Sequence, residues 1–209
     1  MKQLFSTILI CFTLISWATH NRAGEISFEQ IGPNQFKVTL VTYTRIETDA
    51  DRPFIDVLWG DGQTDSLSRG ANYPEVVSGD VHKNIYVGFH TYPGPGSYTI
   101  SLEDPNRNQG INNIPNSINV PFYIESKILI NPFLGNNSSP LLLNPPVDDA
   151  CLNSSYIHNP SAFDKEGDSL SYSLITPKGT GGQTISGYTI PKDVSIDSIT
   201  GTLTWLNPN

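Results

Sequence analysis

His90-Thr-Tyr-Pro-Gly-Pro-Gly-Ser-Tyr-Thr-Ile-Ser-Leu102 reads as strand, tight turn and strand. Pro93 and Pro95 lock φ, while Gly94 and Gly96 allow the backbone angles that a sharp reversal needs. Beyond the turn, Tyr98, Ile100 and Leu102 alternate with Ser97, Thr99 and Ser101. Successive side chains of a strand point to opposite faces, so this is a strand with one face buried. Upstream, Trp59-Gly-Asp-Gly62 closes the mostly apolar Phe54-Ile-Asp-Val-Leu58. Asp-Gly is a hairpin signal, because it supplies the backbone freedom that tight turns need.

The rest of the first half fits the same plan. Ile26 and Phe28 alternate with polar neighbours, Pro33-Asn34 makes a turn, and Phe36, Val38, Leu40 and Thr42 form one face of a longer strand. This predicts an antiparallel hairpin. Residues 45–53 and 70–79 read as loops, 63–68 as a return strand, and 83–89 as the lead into His90. Residues 104–115, rich in Asn, Pro and Gly, read as a loop, and 116–132 as the closing strand. No stretch carries a sustained 3.6-residue period with caps at both ends. Short strands separated by turn residues predict a β-sandwich.

The aromatic-Gly-Asp-Gly turn and the later His-Thr-Tyr…Pro-Gly-x-Tyr pair resemble the polycystic-kidney-disease (PKD) type of immunoglobulin-like repeat. The resemblance covers roughly the first half of the chain, and His90 and Asp61 belong to its structural motif. Thr19-His-Asn-Arg-Ala-Gly-Glu-Ile26, with the strand that runs to Thr44-Arg45, is similar to the N-terminal regions of large gliding-motility-associated proteins secreted by Gram-negative bacteria. Those regions carry Ser-His-x-x-Gly-Gly-Glu-Ile and then Tyr-Arg-Asp-Cys. Here Ala23 replaces one glycine and no cysteine follows Arg45.

In the second half, Asp164, Glu166 and Asp168 alternate around Gly167. An extended or loosely turned loop would put the three carboxylates on one side. Calcium takes six to eight oxygens, so backbone carbonyls, water or Asp148 or Asp149 would have to complete the set. The competing reading is an acidic surface turn in which Asp168 hydrogen-bonds its own backbone. Ser161–Leu174 and Val194–Trp205 resemble cadherin-like and bacterial immunoglobulin-like repeats, whose signature is Ala-x-Asp-x-Asp-Gly-Asp-x-Leu-x-Tyr, then Asp-x-x-Thr-Gly-x-Leu-x-Trp. Thr200-Gly201 reads as a hairpin turn and Trp205 as core. The repeat should continue past Asn209, so this module is expected to be truncated or open at one edge.

Lys2 followed by an apolar run to Trp17 reads as a secretory signal peptide cleaved after Ala18. Cys11 lies inside that run and lacks the context of a lipoprotein signal. Cys151 then stands alone in the mature chain. It reads either as a buried small hydrophobe or as a bridge to a partner. Charged residues make up 15 %, and the net charge is −8. That balance argues against nucleic acid and anionic membranes as partners. No segment reads as a transmembrane helix.

No enzyme motif is visible. His20, His82, His90 and His158 have no metal spacing, and neither Gly-x-Ser-x-Gly nor His-Glu-x-x-His occurs. Asp65-Ser66-Leu67, Asp168-Ser169-Leu170 and Asp197-Ser198-Ile199 resemble an O-glycosylation triplet of some gliding bacteria.

The chain is therefore expected to be all-β. A signal peptide spans 1–18, a PKD-like sandwich 19–132, a linker 133–146, and a cadherin-like or immunoglobulin-like sandwich 147–209. It reads as a non-catalytic protein, secreted or on the outer cell surface, that serves adhesion, spacing or display, and is linked to gliding motility by resemblance. Its partner would be an extracellular protein or glycan surface. The alternative is a set of accessory modules that orient substrate for a secreted hydrolase whose catalytic domain lies outside this chain.

Overall fold

A computed structural model describes residues 21–46, 52–105, 107–146 and 149–208. The signal peptide, Cys11, His20 and Asp148 lie outside the described residues. The first half forms β1 (Asn21–Gly32), β2 (Gln35–Arg45), β3 (Phe54–Leu58), β4 (Thr64–Ser68), β5 (Glu75–Ser78), β6 (Val81–Thr91), β7 (Gly96–Asp104) and β8 (Phe122–Ile130). They make two antiparallel four-stranded sheets, ordered β1-β2-β6-β5 and β4-β3-β7-β8.

The alternating residues meet between the sheets. Phe36, Val38 and Leu40 of β2 and Val57, Ile100 and Ile128 of the other sheet are each at most 1 % exposed. Apolar side chains at period two must face away from water, which brings the two faces together. The β1–β2 hairpin turns at Pro33-Asn34, and the β3–β4 hairpin turns at Trp59–Gln63. The chain is all-β, as expected.

The Pro-Gly corner turns differently from a hairpin. β6 pairs with β2 and β5, while β7 pairs with β3 and β8. Pro93–Gly96 therefore carries the chain across the sandwich instead of folding a strand onto its neighbour. Tyr92 holds the crossing: its N–H donates to Asn34 O at 2.9 Å and its hydroxyl to Trp59 O at 3.0 Å.

Three local expectations need correction. Glu75–Ser78 is a strand on the edge of the first sheet, inside a stretch read as loop. Ser117–Asn119 is a 3-10 turn entered through Asn116 at φ 53°, so the closing strand starts at Phe122 and not at Asn116. Ile118 and Val120 are accordingly half-buried at the rim of the sandwich. Val41 and Tyr43 are buried although they alternate out of phase, because they pack with Val81 on the outer face of the first sheet. Burial there, with Glu25 nearby, pushes the Tyr43 hydroxyl up to about 12.

The second half forms β9 (Leu141–Leu142), β10 (Tyr156–His158), β11 (Ala162–Phe163), β12 (Val194–Ile196) and β13 (Leu203–Trp205). They pair as β10-β13-β12 and β11-β9. The hairpin expected at Thr200-Gly201 joins β12 to β13. Among the described residues after Pro132, Ile185 and Pro208 are the only buried apolar side chains. Trp205, expected in a core, is half-buried and donates its ring N–H to Lys192 O at 3.1 Å.

Candidate functional site

The densest cluster of chemically versatile side chains lies where the two signature turns meet. β6 delivers His90 and the β3–β4 turn delivers Asp61. His90 Nε2 and Asp61 Oδ2 are 2.7 Å apart, with side chains only 6 % and 3 % exposed. Asp61 Oδ1 also accepts the Gln63 N–H at 3.0 Å, which closes the turn. Burial opposes ionisation of Asp61, but the hydrogen bonds from His90 and the Gln63 N–H prevail and hold its carboxyl below the ordinary value.

The imidazole is enclosed by aromatic rings. Trp59 stacks on one face of it, and Tyr92 meets it edge-on with centroids 4.7 Å apart. Tyr98 stacks on Tyr92 at 4.2 Å. Trp59 Nε1 donates to Asp65 Oδ2 at 2.8 Å. Burial, then the Asp61 charge, raises the Tyr92 hydroxyl. Trp59 thus covers one face of the imidazole, and Tyr92 packs against it. Both side chains of the His90–Asp61 pair are almost wholly buried in this arrangement. Its chemistry is to lock two turns together.

A second polar region was missed by sequence reasoning. At the far end of the sandwich, a cavity of about 210 Å³ is lined by Asn21, Thr42, Arg52, His82, Asn84 and Asp104, among others. Arg52 Nε lies 3.1 Å from Asp104 Oδ2, and Asn84 bridges Arg69 at 3.2 Å and Thr44 at 3.1 Å. Asp104 could have been found, since it continues the inward series Tyr98, Ile100, Leu102. An acid at an inward position announces a buried partner. Arg52 carries no such phase.

The acidic loop of the second half is closed on itself. Asp164, 8 % exposed, accepts the N–H of Glu166 at 3.0 Å and of Asp168 at 2.9 Å through one oxygen. Glu166 accepts the Ser138 hydroxyl at 2.9 Å, and Lys165 pairs with Glu29. Among the described residues, no three His, Cys, Asp or Glu side chains gather as metal ligands. The turn-to-backbone bonding follows the competing reading of this loop, with Asp164 and not Asp168 as the acceptor.

His82 lines the end cavity and His158 lies parallel to Tyr156, so the structure does not bring His82, His90 and His158 together. Cys151 is exposed, which overturns its reading as a buried hydrophobe. Ser66, Ser169 and Ser198 of the three triplets are all exposed. No helix among the described residues is long and apolar enough to cross a membrane. Comparison with protein families, with curated proteins and with solved structures found no match to the chain.

Proposed function

We propose that the chain is a non-catalytic, exported modular protein that works by adhesion, spacing or display. The observation that carries this reading is the burial of His90 and Asp61 under Trp59 and Tyr92. The pair best suited to acid–base chemistry is spent on joining turns. Rigid sandwiches offer their faces and loops as binding surfaces. The apolar run before Ala18 and the motifs resembling PKD and cadherin-like repeats support an extracellular setting. Protease added to intact producing cells should degrade the chain while cytoplasmic markers survive. A chain retained inside the cell would overturn the proposal.

Calcium at Asp164, Glu166 and Asp168 is a separate proposal, resting on the donor types and their spacing. The carboxylates would have to draw together around the ion. Millimolar calcium, compared with chelator, should then raise the melting midpoint, since a ligand of the folded state stabilises it. An unchanged midpoint would remove the site.

A further inference from the structure

The second half lies against the side of the sandwich where β1 and β8, the edge strands of the two sheets, face each other. On the β1 side, the Ser139 N–H donates to Phe28 O at 2.9 Å, and the Phe28 N–H donates to Ser139 Oγ at 2.8 Å. Asn137 N–H donates to Gln30 Oε1 at 3.0 Å, and Lys165 pairs with Glu29. Ser139 thus occupies the outward backbone groups of an edge strand, which would otherwise invite another strand.

On the β8 side, Arg107 is 8 % exposed and donates through Nη2 to Pro121 O at 3.0 Å and Lys178 O at 2.8 Å. Its guanidinium lies over the Phe122 ring, 5.6 Å from the centroid. Gly181 N–H donates to Glu103 Oε2 at 2.8 Å, and Lys178 pairs with Glu125. These links are polar on both sides.

The second half has little else to hold it. Its strands are two or three residues long, and Ile185 and Pro208 are its only buried apolar side chains among the described residues. Ladders that short are marginal alone, and so little apolar burial cannot offset the entropy of ordering the chain. Among the described residues, order must come from the dock. Polar links exchange readily for water, so the dock can also open.

We infer that residues 133–208 are a dependent half, ordered while clasped to the β1–β8 side, and that Ser139 and Arg107 are the pins of the clasp. Opening uncovers the Phe28 backbone edge and leaves the sandwich intact. The chain is then one self-sufficient module carrying a detachable one, instead of two independent beads.

Hydrogen exchange of the whole secreted chain, read by mass spectrometry, tests this. In the unaltered protein, amides in 194–205 should exchange at least about tenfold faster than those of β2 and β6, since openings below global unfolding expose local segments first. Ser139→Ala with Lys165→Ala should speed 194–205 about tenfold further and leave β2 and β6 unchanged. Glu103→Gln with Glu125→Gln does the same from the β8 side and spares the core. Unchanged exchange at 194–205 in both variants would show a self-standing module and overturn the inference. Equal protection of 194–205 and β2, or β2 and β6 loosening in step with 194–205, would show one cooperative unit and also overturn it.

Discussion

Trp59 lies flat on His90, with ring centroids 4.6 Å apart and planes 6° from parallel. One residue directly follows the strand β3 and the other sits near the end of β6, in the opposite sheet. The stack therefore bridges the sandwich, and Asp61 reaches back from the turn to hold the imidazole from its edge. Two turns distant in sequence become one joint.

Replacing Asp61 by Asn keeps its shape and removes its charge. The bond to His90 loses its ionic character in a site shielded from water. The expected cost is about 1.5–3 kcal/mol, the range for hydrogen bonds to charged groups. Urea unfolding followed by tryptophan emission measures it. A loss below about 0.5 kcal/mol, the level of an unremarkable surface substitution, would mean the joint is ornamental.

Two glycines bound the joint and should differ in cost. Gly60 has φ 85°, and a Cβ there would lie 2.5 Å from Thr99 O and 2.6 Å from Thr99 N. Backbone atoms cannot step aside, and the angle itself disfavours alanine. A Cβ on Gly88 would meet the Leu67 methyl carbons at 2.9 and 3.0 Å and the Trp59 ring at 3.0 Å. Leu67 can shift rotamer. Gly88→Ala should cost about 1–3 kcal/mol, the usual range for overpacking, and Gly60→Ala more. Thermal melts of the two variants decide the order, and the reverse order would contradict this account of the turn.

Acid should loosen the fold in a way that Asp61 partly controls. Its folded carboxyl sits below its ordinary value, so the unfolded chain takes up a proton first. The stabilisation is complete above the unfolded value of roughly 4 and is lost as pH falls through the folded one. Asp197, held down by the Thr200 and Ile199 N–H groups, acts in the same direction. Glu25, raised by burial, acts oppositely. Urea midpoints should stay level from about pH 7 to 5 and then fall, and Asp61→Asn should flatten that fall. A midpoint that rises in acid would refute the assignment.

Much of the sandwich is legible along the chain, because its strands obey period two. Phe36, Val38 and Leu40 lie where their alternation puts them, and Trp59-Gly-Asp-Gly62 turns as a hairpin. What period two cannot convey is which sheet a strand joins. Tyr98, Ile100 and Leu102 would alternate equally well beside β6 or across from it. Glu75–Ser78 is too short to show a period. Leu203 and Trp205 alternate like core residues but are only half-buried. Of the site, His90 and Asp61 were visible as turn residues. Their contact spans 29 positions and depends on the crossing at Pro93–Gly96.

Cys151 offers a test in the second half. The sequence left its thiol either buried or available, and the structure exposes it. Thiol chemistry depends on access to the thiolate, so an exposed cysteine should react nearly as fast in the native protein as in denaturant. Maleimide labelling in buffer and in urea, with the Cys151 peptide read by mass, should give rates within about tenfold of each other. Protection by a hundredfold or more, on the order expected when global unfolding gates access, would bury the thiol after all. In an oxidising compartment the same exposure predicts disulfide-linked dimers on a non-reducing gel, abolished by Cys151→Ser. Persistence of dimers in that variant would assign them to another contact.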